Sequence, residues 1–137
     1  MIVIDANVVV KWFVDEAGTA EALSYLESGQ SLIAPAHILA EVGEALVRYV
    51  RHGELQREQL VLAAVALSDV FQLMPLNELF EIATRIALDA QISHYDALYV
   101  AAAEHCRAPL VTGDRVLLRK LAGTEWADRV RPLVPLN

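Results

Sequence analysis

Four acidic side chains stand where an apolar run ends or a helical pattern begins, and their positions are the first indication of chemistry in this sequence. They are Asp5, Glu41, Asp96 and Asp114. Two polar residues, Asn7 and Thr112, lie two positions from the first and the last of these acids. Carboxylates gathered in one pocket repel one another by roughly 3 kcal/mol per pair at about 5 Å and an effective dielectric near 20. If the four converge, some are protonated or a cation lies among them.

The donor types indicate which cation such a pocket would hold. Carboxylate oxygens without cysteine ligands favour a hard cation, Mg²⁺ or Mn²⁺, over zinc. The four histidines, at positions 37, 52, 94 and 105, show no ligand spacing such as HxxxH. A divalent cation held by carboxylates can activate water and stabilise charge on a phosphodiester. The pattern therefore predicts metal-assisted hydrolysis, with Asn7 and Thr112 within hydrogen-bond reach of an acid or its water.

Three of the acids, taken alone, also have an ordinary structural explanation. Asp5 can cap whatever follows the first strand, and Glu41 is favoured by the dipole at the start of a helix. Ser93 can cap a helix whose third residue is Asp96, in an arrangement similar to a capping box. Only the proximity of all four acids would favour a common site over these separate explanations.

Short apolar runs alternate with segments of helical period, which is typical of βαβ units and a parallel sheet. The predicted strands are 2–4, 31–34, 70–74, 110–112 and 130–134, and the predicted helices are 19–28, 36–51, 55–68, 78–90, 95–107 and 115–121. Most of the strand runs are almost continuously apolar, as expected for strands that are covered on both faces. We expect an α/β fold in which the acids follow the carboxyl ends of the strands, where ligands bind in open parallel sheets.

The helix predicted over 36–51 places two acids differently. Its apolar positions form one stripe: Ile38, Leu39, Val42, Ala45, Leu46, Tyr49 and Val50. At about 100° per residue, Glu41 lies at the border of this stripe and Glu44 lies opposite it. Glu41 can therefore face a cleft, whereas Glu44 points to water.

Composition limits the class of protein. The chain has 137 residues, of which 55% are hydrophobic, so we expect one domain, 1–137, with a large core and enough surplus apolar surface to form a homodimer. A formal charge of −7 argues against nucleic-acid binding through a generally basic surface. The single cysteine, Cys106, and an N-terminus without signal-peptide features predict a cytoplasmic protein.

These motifs together resemble the PIN-domain family, and within it the VapC-type toxins of bacterial and archaeal toxin–antitoxin pairs. The resemblance rests on D-x-N after the first strand, a Glu in the first long helix, S-H-Y-D-A-L-Y-V-A-A-A and V-T-G-D, and it covers nearly the whole chain. It implies a Rossmann-like, PIN-like central parallel sheet of about five strands flanked by helices. It also implies an endoribonuclease dependent on Mg²⁺ or Mn²⁺, which forms a homodimer and is held inactive by a cognate antitoxin protein.

The resemblance also assigns roles to residues. It implies that Asp5, Glu41, Asp96 and Asp114 are the acidic quartet that holds the metal and activates water for RNA hydrolysis. Asn7 and Thr112 match the polar positions that accompany the first and last acids. The residues after Asp114, Arg-Val-Leu-Leu, offer no further acid for a second metal ion.

Two other functions remain open at this point. A phosphatase of the haloacid-dehalogenase type also places a carboxylate after the first strand, although it needs a second acid where this chain has Asn7. A catalytically inert PIN-like module that only binds a partner is the other alternative, but such a module has no need to gather repelling acids.

Overall fold

The computed structural model describes residues 1–135, so that Leu136 and Asn137, the end of the predicted domain, lie outside the described residues. Its strands form one parallel sheet in the order β3-β2-β1-β4-β5. They are β1 (Ile2–Ile4), β2 (Leu32–Pro35), β3 (Phe71–Met74), β4 (Leu110–Thr112) and β5 (Val130–Pro132). This arrangement confirms the predicted α/β fold with a central parallel sheet of five strands.

Helices flank the sheet, and all six predicted helical segments agree with them to within two residues at either end. They are α1 (Ala6–Val10), α2 (Thr19–Leu26), α3 (Ile38–Arg51), α4 (Arg57–Val70), α5 (Leu76–Ala90), α6 (His94–Cys106) and α7 (Arg115–Leu121), with a short 3₁₀ turn at Ala127–Arg129. In residues 1–135, none of the helices combines the length and the apolar character that a bilayer-spanning segment requires.

The helix α1 is the element that the sequence pattern did not predict. Its three consecutive valines favour a strand, because branching at Cβ restricts side-chain rotamers in a helix. The side chains of Val8, Val9 and Val10 are nevertheless buried in the core, and α1 packs against α3. Burial of these side chains outweighs their weak helix propensity, and the chain turns directly from β1 into a helix.

The strand order creates a switch point between β1 and β4. From β1 the chain builds β2 and β3 on one side of the sheet, and it then returns to place β4 and β5 on the other side. Val3 pairs with Leu110, and Ile4 pairs with Val111. The backbone N–H of Asp5 donates a hydrogen bond to the Val111 carbonyl oxygen at 3.1 Å. The ends of β1 and β4 therefore meet at the crevice where ligands bind in doubly wound sheets.

The helix α6 lies at the centre of the packing. All residues from Ala97 to Ala103 are buried, as expected for a helix that is apolar on nearly every face. It packs mainly on α5 and also contacts β1, β2 and β4. Its alanines allow this close approach, and the first turn of α6 is thereby held against the carboxyl edge of the sheet.

We predict that Leu46→Ala lowers the free energy of unfolding by about 2–4 kcal/mol, because Leu46 is 1% exposed and its truncation leaves a cavity. Leu39→Ala is the matched control on the same helix. The sequence pattern places Leu39 in the apolar stripe of α3, yet the residue is 36% exposed. Its truncation should therefore lower the free energy of unfolding by less than about 1 kcal/mol. Denaturant unfolding at one fixed protein concentration measures both values, and equal losses would contradict this description of α3.

Candidate active site

The structure brings the four predicted acids and their two polar companions to the carboxyl edge of the sheet. Asp5 follows β1, and Asp114 follows β4 at the start of α7. Glu41 lies in the first turn of α3, and Asp96 lies in the first turn of α6. The negative charges of Glu41 and Asp96 act on Asp5, and the charge of Asp114 acts on Asp96. The acids thus form a chain of neighbours around the switch point.

Asp5 is held by the polar residues that were predicted to accompany it. The Thr112 hydroxyl donates to Asp5 Oδ2 at 2.7 Å, and Asn7 Nδ2 donates to the same oxygen at 3.1 Å. Asn7 Oδ1 in turn accepts a hydrogen bond from the Gly113 N–H at 2.8 Å. Although Asp5 occupies the N-cap position of α1, its side chain makes no capping hydrogen bond. Its carboxylate is thus tied to the end of β4 and does not act as a helix cap.

Burial makes the charged form of Asp5 costly. The residue is 6% exposed, and this burial raises the pKa of its carboxyl to about 7. The hydrogen bond from Thr112 lowers the pKa, but the charges of Asp96 and Glu41 raise it further. A buried carboxylate with acidic neighbours favours either a proton or a cation at this position.

Glu41 has a different environment, since two side chains donate to one of its oxygens. The Tyr99 hydroxyl donates to Oε1 at 2.8 Å, and His37 Nε2 lies 3.0 Å from the same atom. Burial raises the pKa of Glu41, but the hydrogen bonds from His37 and Tyr99 outweigh it and leave the pKa below its ordinary value. Burial and the charges of Asp5 and Glu41 strongly raise the pKa of Tyr99, so its hydroxyl keeps its proton and donates.

Asp96 and Asp114 both lie at helix starts. The Ser93 hydroxyl caps α6 by accepting the Asp96 N–H at 3.1 Å, as the sequence suggested. Burial raises the pKa of Asp96, and the charge of Asp114 raises it further, while the Ser93 hydroxyl and Lys120 oppose these effects. Asp114 caps α7 through Oδ1, which accepts the N–H groups of Val116 and Leu117 at 2.9 and 3.1 Å. This capping role was not anticipated from the sequence.

Sequence reasoning also missed His37 and Tyr99 as members of the site. A signal was present for each, since His37 precedes Glu41 by one helical turn and Tyr99 lies three positions after Asp96 in the SHYDALY motif. Both positions were nevertheless compatible with ordinary core or surface residues. Only the tertiary contacts between the start of α3 and α6 show that they meet at one carboxylate.

The chemistry of the clustered side chains suits a hard divalent cation, because they offer carboxylate and hydroxyl oxygens as ligands. The hydrogen bonds to Asp5, Glu41 and Asp114 converge on one oxygen of each carboxylate, namely Oδ2, Oε1 and Oδ1. Among residues 1–135, however, no three His, Cys, Asp or Glu side chains stand close enough to hold one ion in their present positions. Mg²⁺ usually keeps several of its waters and takes only one or two carboxylates directly, so the remaining acids would contact a cation here through its waters.

A cleft of about 480 Å³ adjoins the acids between α1 and α3. Asn7 and Glu41 line its end near the acids, and the rest of its lining carries both signs of charge. The basic side chains are Lys11, Arg48 and His52, and the acidic ones are Glu16, Glu41 and Glu54. Lys11 is paired with Glu16 at 3.0 Å, and Glu16 also accepts a hydrogen bond from the Tyr49 hydroxyl. The cleft can thus receive a chain that carries local charge of either sign.

We predict that the metal-free protein loses stability as the pH rises from about 4 to 7, because the folded-state pKa of Asp5 is raised from 3.8 to about 7. Its contribution is fully present below the unfolded pKa and is lost as the pH passes the folded pKa. The loss is at most roughly 4 kcal/mol, since each pKa unit corresponds to about 1.4 kcal/mol. Thermal melts with chelator should therefore show a smaller decline for Asp5→Asn than for the wild type.

Asp15→Asn, at an exposed acid just beyond α1, is the control and should follow the wild-type curve. If Asp5→Asn instead declines in parallel with the wild type, the Asp5 carboxyl is not the titrating group.

The sequence and the fold of this chain are similar to those of known proteins. The PIN domain family model matches residues 2–123. Ribonuclease VapC3 of Pyrobaculum aerophilum is 28% identical over 122 residues, which cover 87% of this chain and 93% of that protein.

Solved structures show the same fold. A chain of a toxin–antitoxin complex from Klebsiella pneumoniae superposes with a TM-score of 0.67 at 18% identity, over 99% of this chain and 100% of that one. VapBC2 from Rickettsia felis, bound to a DNA fragment from its promoter, contains a chain with a TM-score of 0.64 at 15% identity, over 96% of this chain and 98% of that one. At these identities the two structures establish likeness of fold alone. Because the family match extends over most of the sequence, from β1 through α7, the chain belongs to the PIN-domain family.

Proposed function

We propose that this PIN domain is a metal-dependent endoribonuclease and the toxin of a toxin–antitoxin pair. The observation that carries the proposal is the buried Asp5 carboxylate, which has Glu41 and Asp96 as charged neighbours at the switch point of the sheet. This arrangement costs stability in the isolated chain, and a cation bound for catalysis would offset that cost. The name of the relative VapC3, a ribonuclease, supports RNA as the substrate.

The residues of the quartet have distinct parts in this proposal. Asp5, Glu41, Asp96 and Asp114 would hold Mg²⁺ or Mn²⁺, which would supply activation of water and neutralisation of charge on the phosphodiester. Thr112 and Asn7 orient Asp5 by binding its Oδ2. The Asp5 side chain is thereby fixed before substrate arrives, and this preorganisation favours charge stabilisation in the transition state.

RNA would have to bind locally, because the chain carries a formal charge of −7. Lys11, Arg48 and His52 in the cleft beside Glu41 can contact phosphates. A single strand or a loop suits this arrangement better than a duplex, because a flexible backbone can follow the cleft beside Glu41. An RNA target and the lone cysteine are both consistent with the cytoplasm, where we place the protein as part of this proposal.

An antitoxin would bind the same side of the molecule. The Klebsiella pneumoniae neighbour is described as a toxin–antitoxin complex, and we extend that partnership to this chain. Glu16, Glu41 and Glu54 line the cleft between α1 and α3. These acids would attract a basic side chain of the antitoxin, and such a group would compete with the metal and with RNA.

A homodimer forms part of the proposal because large apolar side chains are exposed on two faces. Val61, Leu62 and Val65 on α4 are 55%, 70% and 74% exposed. On α5, Phe80 and Leu88 are 60% and 75% exposed. Patches of this kind mark interaction surfaces in many proteins, and a second copy and an antitoxin would cover them.

The central prediction is that purified protein cleaves single-stranded RNA with added Mn²⁺ or Mg²⁺ and not with chelator. Asp5→Asn and Glu41→Gln should each lower the cleavage rate by at least about 100-fold, because each removes a charged metal ligand. Glu44→Gln is the matched control for Glu41→Gln, since Glu44 is exposed on the same helix. It should stay within about twofold of the wild type.

Other outcomes would support the alternatives. Hydrolysis of small phosphomonoesters without RNA cleavage would favour the phosphatase. RNA binding or partner binding without any hydrolysis would favour an inert binding module. Cleavage that persists unchanged in Asp5→Asn would indicate a contaminating nuclease or a different site.

We further predict that light scattering at high micromolar concentration gives twice the mass of one chain. Two double variants locate the interface: Leu62 and Val65 replaced by Glu on α4, and Phe80 and Leu88 replaced by Glu on α5. The variant whose residues lie in the interface should be monomeric, because burying a charge there is costly. A wild-type protein that remains monomeric at this concentration rules out the homodimer.

A further inference from the structure

One polar atom of His37 is buried without a partner, although the rest of the ring is engaged. Within the described part of the chain, Nδ1 has no hydrogen-bond partner, and the side chain is 9% exposed. The other ring nitrogen, Nε2, lies 3.0 Å from Glu41 Oε1 and 3.1 Å from the Tyr95 carbonyl oxygen. Both neighbours can only accept, so Nε2 carries the proton and donates.

The unpaired Nδ1 is a cost to the fold that an apolar side chain would avoid. The ring does pack against Tyr99, at 4.8 Å between centroids, but a phenylalanine or leucine could make such a contact without burying an unpaired nitrogen. Packing alone therefore does not account for a histidine at this position. Compared with an apolar side chain, the histidine adds an N–H that reaches Glu41 Oε1 and the Tyr95 carbonyl oxygen.

Tyr99 supplies a second donor to the same atom. Its ring is completely buried in α6, and its hydroxyl donates to Glu41 Oε1 at 2.8 Å. The two donors come from different elements, since His37 precedes α3 and Tyr99 belongs to α6. With Oε1 bound from two directions, the carboxylate loses much of its rotational freedom, and Oε2 is left as the oxygen available to another ligand.

We propose that His37 and Tyr99 are positioning residues that bind Glu41 Oε1 and thereby present Glu41 Oε2 to a divalent cation. This inference rests on the proposed metal-dependent function. It adds that the metal affinity depends on two side chains that are not themselves ligands. Partners of this kind commonly change metal affinity or activity by about 10–100-fold when they are removed.

Three variants test the role of the donors. His37→Gln places an amide nitrogen near the position of Nε2, so it retains the donor to Glu41. His37→Asn also removes the ring, but its shorter side chain places the amide nitrogen near the position of Nδ1, where it cannot reach Glu41. Tyr99→Phe deletes only the hydroxyl and keeps the buried ring. His105→Asn, at an exposed position near the end of α6, is the control.

The measurements are Mn²⁺ affinity by titration calorimetry, the kcat and KM of RNA cleavage, and the melting temperature with chelator. We expect His37→Asn and Tyr99→Phe to weaken Mn²⁺ binding and lower kcat by about 10–100-fold, with little change in KM. His37→Gln should stay within about threefold of the wild type. With chelator, His37→Asn should melt below His37→Gln, because both lose the ring contacts but only His37→Asn also loses the hydrogen bond to Glu41.

Three results would overturn the inference. Only the last of them would also overturn the proposed function. If His37→Asn and Tyr99→Phe bind Mn²⁺ like the wild type, the donors do not position Glu41. If His37→Gln loses as much affinity as His37→Asn, the ring has only a structural role. If the wild type itself neither binds Mn²⁺ nor cleaves RNA, the proposed function fails and this inference fails with it. If His37→Asn does not fold, Tyr99→Phe alone decides.

Discussion

The buried carboxylate of Asp5 is the constraint on which the rest of the site depends. It lies where β1 and β4 separate, and at 6% exposure it has little contact with water. A charge in this position is costly unless hydrogen bonds or a cation compensate it. Thr112 and Asn7 provide the hydrogen bonds. The backbone next to Asn7 is also closely packed, since a Cβ at Gly113 would lie 3.3 Å from the Asn7 oxygen that accepts the Gly113 N–H.

The surrounding acids increase that cost instead of relieving it. Glu41 and Asp96 act on Asp5 with charges of the same sign, and Lys120 is the cation that acts on Asp96. A site selected for stability alone would replace one of these acids by an amide. The arrangement is understandable if a ligand of opposite charge is bound during function, because binding to the folded state returns stability in proportion to ligand concentration and affinity. Stability and function are thus coupled through one cluster of carboxylates.

The helix α6 connects this cluster to the core. Its buried alanines bring it close to β1, β2 and β4, so that Asp96 and Tyr99 project from one rigid element toward residues of two others. Tyr99 reaches Glu41 of α3, and the His37 side chain reaches the Tyr95 carbonyl group of α6. Close packing leaves few alternative positions for these groups. The same helix that fills the core therefore also fixes the geometry of the acids.

The sequence by itself determined the parallel sheet, most helices and the six polar residues at the carboxyl edge, because apolar periodicity and strand ends are local features. Tertiary structure alone decided the remainder. The valines of α1 became helical because packing outweighed propensity, and Leu39 is partly exposed although it lies on the same side of α3 as the buried Leu46, seven residues earlier. Thr112 binds Asp5 from 107 positions away, and Tyr99 binds Glu41 from 58 positions away. No local pattern encodes such contacts, since they depend on how the helices and the sheet pack in three dimensions.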